Sequence, residues 1–387
     1  MAHSLNPRVY VLTFTAFVML SSEFIVAGLL PQIATALQIS IGDAGWLVTA
    51  FAVGMGVSAP VIAAFTHKVS LRHLLIAACV ALVLGNTLCA VTRQFPLLLL
   101  GRALGGVGVA IFWTNAALTA AAISAPEVKT LAMSRVLIGV SIASVVGVPL
   151  GKAVSDLWGW SEALVLMAVL SVLALLMVMR WVQVPAGDPQ QAHPSLAQRL
   201  KALGSREIAL ALLSYLLVFG GIMALFSYLA TFLIRYSDLP AGYVTPLLAL
   251  YGVADIVGNL LIAKRVPDPL DGLFKRLLVV LGLAMLALSL FGTRLWLLPL
   301  VIVVIGGCHA ASGLLTGLDI LRRAGANARL VGAFNVAAIN VGIVLGALTG
   351  GLLIDHVGLQ FIGCLGAAFI ALALLTRACM PPARPAS

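Results

Sequence analysis

Residues 147–159 read GVPLGKAVSDLWG, and residues 346–358 read GALTGGLLIDHVG. Aligned, they put Gly147 on Gly346, Gly151 on Gly350, Asp156 on Asp355 and Gly159 on Gly358, all at an offset of 199. At an offset of 200, Leu47, Val53 and Val57 fall on Leu247, Val253 and Val257, with Phe51 on Tyr251. Apolar matches alone would mean little in an apolar chain. Four glycine and aspartate matches in one register mean more, and their simplest cause is a duplicated unit within the 387 residues.

The chemistry surrounding those stretches says what the unit is made of. Hydrophobic residues make up 62% of the chain and charged ones 9%, whereas a soluble domain is about half apolar and about a quarter charged. That balance excludes a cytosolic enzyme or a soluble nucleic-acid-binding protein. Apolar runs between charge and turn clusters fall at 9–34, 44–66, 73–92, 96–119, 131–155, 162–182, 208–234, 243–264, 275–293, 296–320, 330–353 and 359–378. The expected fold is therefore all-α and membrane-embedded, with twelve transmembrane helices in two pseudo-symmetric six-helix bundles at 1–182 and 208–387. A polar connection at 183–207, carrying Pro185, Gly187, Pro189, Pro194 and Gly204, would be the cytoplasmic linker.

Twelve spans put both termini on one side. Of 23 Lys and Arg residues, 18 then lie at that side and four (Arg93, Lys152, Arg235 and Arg294) at the other, while Arg102 sits inside a span. This is the positive-inside pattern, so the termini are expected in the cytoplasm and the net charge of +10 needs no nucleic-acid partner. The first apolar run is too long for a signal-peptide core and no small-residue cleavage site follows it, so it is expected to remain as a span. Trp46, Trp158, Trp160, Trp181 and Trp296 fall near span ends, as an interfacial belt requires, and Lys152 is expected to snorkel to the outer interface. The five cysteines are scattered without metal or disulfide spacing and read as small hydrophobes. No metal or cofactor is expected.

Ionisable residues are unevenly shared. Spans three, six, nine and twelve have essentially uncharged interiors. The first has Glu23, the fourth Arg102, the eighth Asp255 and the tenth His309 and Asp319. A charge at the bilayer centre costs about 2.5–3.5 kcal/mol even on the lenient insertion scale. Charge-bearing helices are thus expected to line a polar cavity, and charge-free ones to face lipid.

Four motifs carry a family resemblance. They are Ser22-Glu23-Phe24-Ile25-Val26-Ala27-Gly28-Leu29-Leu30-Pro31, the run Gly101-Arg102-Ala103-Leu104-Gly105-Gly106-Val107-Gly108, Gly147-Val148-Pro149-Leu150-Gly151, and Gly332-Ala333-Phe334-Asn335 followed by Asn340-Val341-Gly342. Together they resemble the major facilitator superfamily, and within it the bacterial drug:proton antiporters near the sugar and arabinose efflux permeases and chloramphenicol exporters. The resemblance implies a proton-coupled exporter of a drug-like amphiphile or sugar-like metabolite, and the glycine-proline stretch is the antiporter-associated one. One loop departs from the pattern: His67 stands where an aspartate is usual, beside Lys68 and Arg72, which would weaken a cytoplasmic charge latch.

The candidate residues follow from residue type and place. Glu23 is either a structural buried acid or the proton carrier, since burial favours the neutral form of a carboxyl group. Arg102 lies about 9 Å and Glu23 about 15 Å inside the outer ends of their spans at about 1.5 Å per residue, close enough for long side chains to meet. Asp255 is a second proton site or a structural partner of His309 or of a backbone group. His309, Ser312, Thr316 and Asp319 share one helical face; Asp319, next to Arg322 and Arg323, is expected to be a solvated ion-pair member, and His309 a packed histidine or a ligand for substrate or proton. Phe24, Trp113, Phe226 and Tyr228 offer cavity walls or packing, with Trp113 within about 20° of Arg102 around its helix. Asn115, Asn335 and Asn340 offer amides to a substrate or to neighbouring helices. Gly147, Pro149 and Gly151 are expected to combine close packing with a hinge. Gly147 to Lys152 is no phosphate loop, because only three residues separate its glycines and Ala153 follows the lysine.

The expected protein is a monomeric transporter whose partners are a small-molecule substrate, protons and the lipid bilayer. A facilitator or importer of the same fold is the alternative. An enzyme would need paired acids or a nucleophile with its base, and a receptor a sensing domain; neither pattern is present in the sequence.

Overall fold

The computed structural model describes residues 6–65, 69–184, 205–263, 270–324 and 328–380. The described residues are helical and contain no strand. We number the helices α1 (Arg8–Leu37), α2 (Ile41–Phe65), α3 (Leu71–Val91), α4 (Phe95–Ala122), α5a (Lys129–Ile142), α5b (Val148–Trp158) and α6 (Trp160–Trp181). They continue as α7a (Arg206–Phe226), α7b (Leu229–Arg235), α8 (Ala241–Ala263), α9 (Asp271–Phe291), α10 (Leu298–Ala324), α11 (Ala328–His356) and α12 (Ile362–Ala378). Twelve candidate spans, with the α5 and α7 pieces each forming one, are long and apolar enough to cross a membrane.

Helix ends follow local chemistry. Ser70 and Ser205 cap α3 and α7a by accepting from the amides of His73 and Ile208. Gln38 ends α1 in the left-handed region at φ 56°. Gly159 and Gly358 turn the chain after α5b and α11 at φ 120° and 133°, a backbone that favours glycine. That requirement explains why the repeat keeps a glycine at both places.

The chain forms two compact units, Met1–Gln32 with Ala50–His193 and Ile33–Thr49 with Pro194–Ser387. The first unit packs Leu12, Met19, Phe51, Leu75, Leu82, Phe112 and Val178 into one core. The second buries Tyr215, Phe232, Phe274, Leu281, Leu315 and Ile370. Ile33–Thr49 joins the second unit through its turn: Ser40 Oγ donates to Asp355 Oδ2 at 2.8 Å, and the Gly42 amide to Oδ1 at 3.3 Å. Most of the expected linker, 185–204, lies outside the described residues.

Small residues set the helix spacing. A Cβ on Gly147 would lie 2.3 Å from Ser21 Oγ, and one on Gly346 would lie 2.1 Å from the Gly220 carbonyl oxygen. Residue 220 lies 199 after residue 21, as 346 lies 199 after 147, so α5 meets α1 as α11 meets α7. Without a hydrophobic drive between helices in lipid, such close backbone approach supplies the packing. The helices expected to face lipid expose apolar side chains, among them Leu84 of α3, Leu173 of α6, Leu283 of α9 and Leu372 of α12.

Candidate functional site

In the first unit the glycine run of α4 builds the site around Arg102. A Cβ on Gly106 would lie 2.1 Å from the Phe51 carbonyl oxygen and one on Gly105 3.1 Å from the Phe51 ring, so only glycines let α2 come this close. The ring thereby lies against the guanidinium, whose Cζ is 4.2 Å from the ring centroid. Arg102 is 2% exposed. Its Nη1 donates to the Ser22 carbonyl oxygen at 2.6 Å and its Nη2 to that of Glu23 at 2.8 Å, and the Glu23 carboxyl group also acts on it electrostatically. Glu23 and Phe24 are themselves half-buried. Ser22 Oγ continues the polar contacts to Asn86 Oδ1 at 2.8 Å, and Asn86 Nδ2 to Ser171 Oγ at 2.9 Å. Helix α1 is thus gripped by α4 and α3 at the turn that bears Glu23.

In the second unit the same backbone device recurs with different chemistry. A Cβ on Gly306 would lie 2.6 Å from the Tyr251 carbonyl oxygen, and one on Gly258 2.1 Å from that of Gly307. Tyr251, the repeat partner of Phe51, accordingly faces α10, where its Oη lies 3.0 Å from His309 Nδ1. Asp255, one turn further along α8, brings Oδ1 to 3.1 Å from the same nitrogen. An aromatic residue on the second helix of each unit thus serves an ionisable group on the fourth.

Five ionisable groups and a tyrosine form a further cluster in the second unit. Asp319, fully buried, accepts from Arg323 Nε at 2.9 Å, Arg377 Nη1 at 2.8 Å and Tyr215 Oη at 2.8 Å. Arg323 also reaches Glu207 and Asp271, and Arg377 also reaches Asp271. Asp319 is therefore not the solvated ion-pair member its sequence neighbours suggested; the guanidinium of Arg377, 58 residues away, encloses it.

The family model of the Major Facilitator Superfamily matches residues 12–337, most of the chain. The chain belongs to the Major Facilitator Superfamily. It is 30% identical over 354 residues to a chloramphenicol resistance protein of Streptomyces lividans, covering 90% of this chain and 89% of that one. It is 27% identical over 371 residues to a probable sugar efflux transporter of Mannheimia succiniciproducens, covering 95% and 92%. The crystal structure of a D-xylose-proton symporter has the same fold, with a TM-score of 0.78 at 12% identity over 97% of both chains. As a member of this superfamily the chain is a multi-pass membrane transporter of small molecules and not an enzyme.

The remaining candidates of this superfamily member find varied places. Tyr228 is no cavity wall: it is fully buried at the break between α7a and α7b, its hydroxyl donating to the Ala347 carbonyl oxygen at 2.7 Å. The Phe226 ring lies 5.0 Å from that of Tyr251, tilted by 39°, beside His309. Trp113 packs edge-on to Phe112 against the first core. Asn115 and Asn340 donate to the carbonyl oxygens four residues back, at Ile111 and Val336, rather than to another helix. The Oδ1 atoms of Asn335 and Asn340 are buried and make no hydrogen bond.

Lys152 does not snorkel; it is 1% exposed and paired with Asp156, which also accepts from Gln32 at 2.7 Å. Trp160, expected in the belt, is buried, with Arg93 4.8 Å from its ring. Arg72 donates to the Met179 carbonyl oxygen in the last turn of α6 at 2.9 Å, where a cation is favoured. His67 and Lys68 lie outside the described residues. Gly147 and Pro149 flank the change from a π-helical turn at Ala143–Gly147 to α5b, and a Cβ on Gly151 would lie 2.2 Å from Ile25. Sequence reasoning did not single out Tyr251, Phe51 or the Arg377 cluster as functional; for the first two the offset-200 match was the available signal.

Proposed function

We propose that this superfamily member exports a small organic solute, a drug-like amphiphile or sugar-like metabolite, from the bacterial cytoplasm in exchange for protons. It would work as a monomer by alternating access, in the cytoplasmic membrane, with both termini inside. The observation that carries this reading is the grip of Arg102 on the Ser22 and Glu23 carbonyl oxygens. It fixes a cation beside an intramembrane carboxyl group. A neighbouring cation favours the carboxylate and closure of apolar surroundings favours the neutral acid, so a change in either moves a proton on or off Glu23. The efflux and resistance functions named for the two relatives accord with export.

The test uses proteoliposomes with an imposed pH gradient and an internal pH dye, against a panel of solutes. Glu23→Gln keeps hydrogen-bonding capacity without a titratable proton, so it is expected to bind substrate but lose gradient-driven transport. Uphill transport at the wild-type rate would remove Glu23 from the coupling.

A further inference from the structure

The second unit holds an ionisable group without an equivalent in the first. At the offset of 200, Asp255 falls on Met55 and His309 on Val109, so duplication alone does not account for the pair. Asp255 and His309 keep 13% and 14% of their side-chain surface exposed, enough for a ligand to touch both. Three rings surround them: the Phe226 ring lies 5.0 Å from that of Tyr251 and 6.2 Å from that of His309, and the Phe219 ring 6.2 Å from that of His309.

The hydrogen bonding at His309 Nδ1 is ambivalent. This nitrogen faces both Tyr251 Oη and Asp255 Oδ1. A protonated imidazole can offer its N–H toward the carboxylate and serve as its counter-ion. A neutral ring that accepts from the tyrosine hydroxyl turns a lone pair toward that carboxylate instead. The 3.1 Å approach meets the distance of an ion pair but not the geometry of a hydrogen bond, and Asp255 Oδ1 is buried with no hydrogen-bond donor. When His309 is neutral, Asp255 therefore calls for another cation.

The ionisable groups touching the imidazole are Tyr251 and Asp255, both from α8. Cys308 is its chain neighbour on α10, and α7a presents the Phe219 and Phe226 rings to it. On the other helices packed against α10, Asp271, Lys275 and Arg276 lie near the start of α9, and Asp355 and His356 at the end of α11. Asp271 is held by Arg323 and Arg377, and Asp355 by Ser40.

We propose that Asp255, His309 and the rings of Phe219, Phe226 and Tyr251 form a binding site for an amphiphilic organic cation, which replaces the proton of His309 as the counter-ion of Asp255. This rests on the export reading and names its substrate class. Aromatic faces attract a cation most where it is desolvated. A polyhydroxylated solute suits the site less, because Tyr251 and His309 already bond to each other and Asp255 would keep an uncompensated charge.

The test measures binding of tetraphenylphosphonium to the purified full chain in lipid nanodiscs, at about pH 5.5 and about pH 8, in a Glu23→Gln background so that Glu23 adds no pH dependence. Competition with one proton can change affinity by up to about tenfold per pH unit, and binding is expected to be at least about fivefold tighter at the higher pH. Asp255→Asn is expected to abolish binding at both pH values, and His309→Gln to bind with no pH dependence. Asp255→Glu reports on folding by restoring binding. If Asp255→Asn is not monodisperse, His309→Gln decides alone. Pentose binding that Asp255→Asn leaves intact, with tetraphenylphosphonium not bound, would overturn the proposal, as would pH dependence that survives in His309→Gln. Binding as expected together with absent proton flux in proteoliposomes would instead overturn the coupling reading and leave this site standing.

Discussion

Asp319 shows how much one residue's meaning depends on chain segments far away in sequence. Its spacing to Arg323 was readable as an i, i+4 pair, but the two contacts that bury it come from Arg377 and Tyr215. The spacing pattern of a helix reaches only its own turns, so α12 and α7a were invisible to it. Removing one partner of a buried pair leaves an uncompensated charge and costs about 3–5 kcal/mol. Arg377→Ala is thus expected to lower the midpoint of thermal unfolding in detergent markedly, whereas Arg294→Ala, on an exposed turn, leaves it unchanged. Equal midpoints would mean the cluster is not a structural tie. Arg102 stood out as a candidate from its depth alone, yet its main-chain contacts did not. The sequence suggested the Glu23 carboxyl group, which does act on it electrostatically; the guanidinium also binds main-chain oxygens whose availability no residue code reveals. Arg102→Ala removes a cation near Glu23, so the pH dependence of substrate binding is expected to move upward. An unchanged profile would show that the two groups act independently.

Among the elements, the twelve spans were read closely from apolar runs because a membrane helix must satisfy its backbone internally over a fixed length. Two interruptions were less legible. Pro149 announced a hinge, but not the π-helical turn at Ala143–Gly147 that precedes it. The break at Ser227–Tyr228 has no glycine or proline at all; it coincides with a tyrosine whose hydroxyl finds Ala347 and whose ring fits against Gly350. Tertiary packing decides that break. The glycine pattern, by contrast, was legible and can be tested by contrast. A Cβ at Gly346 would meet backbone at 2.1 Å, which cannot swing aside, while one at Gly242 meets nothing within 4 Å. Gly346→Ala is therefore expected to cost about 1–3 kcal/mol as overpacking, and Gly242→Ala about 0.5 kcal/mol or less. Denaturant titration in micelles measures both, and equal losses would show that the α7–α11 contact does not depend on close approach.

For the whole molecule, the repeat and the charges make independent statements about topology. A repeat of six spans crosses the membrane an even number of times, so equivalent positions in the two repeats emerge on the same side. Gly159 and Gly358 are such positions: both turn the chain at positive φ after a helix ending near the matched aspartates Asp156 and Asp355. The distribution of 18 basic residues on one side against four on the other predicts that this shared side is the outer one, because short basic loops resist translocation. Alkaline phosphatase folds only outside the cytoplasm, so fusions made after Gly159 and after Gly358 are both expected to be active. A fusion after Met380 is expected to be inactive, and a fluorescent protein there to be bright. Activity at one glycine and not the other would break the duplication. Activity after Met380 with silence at both glycines would preserve the duplication and invert the charge argument, and the direction of proton flow assigned to Glu23 would invert with it.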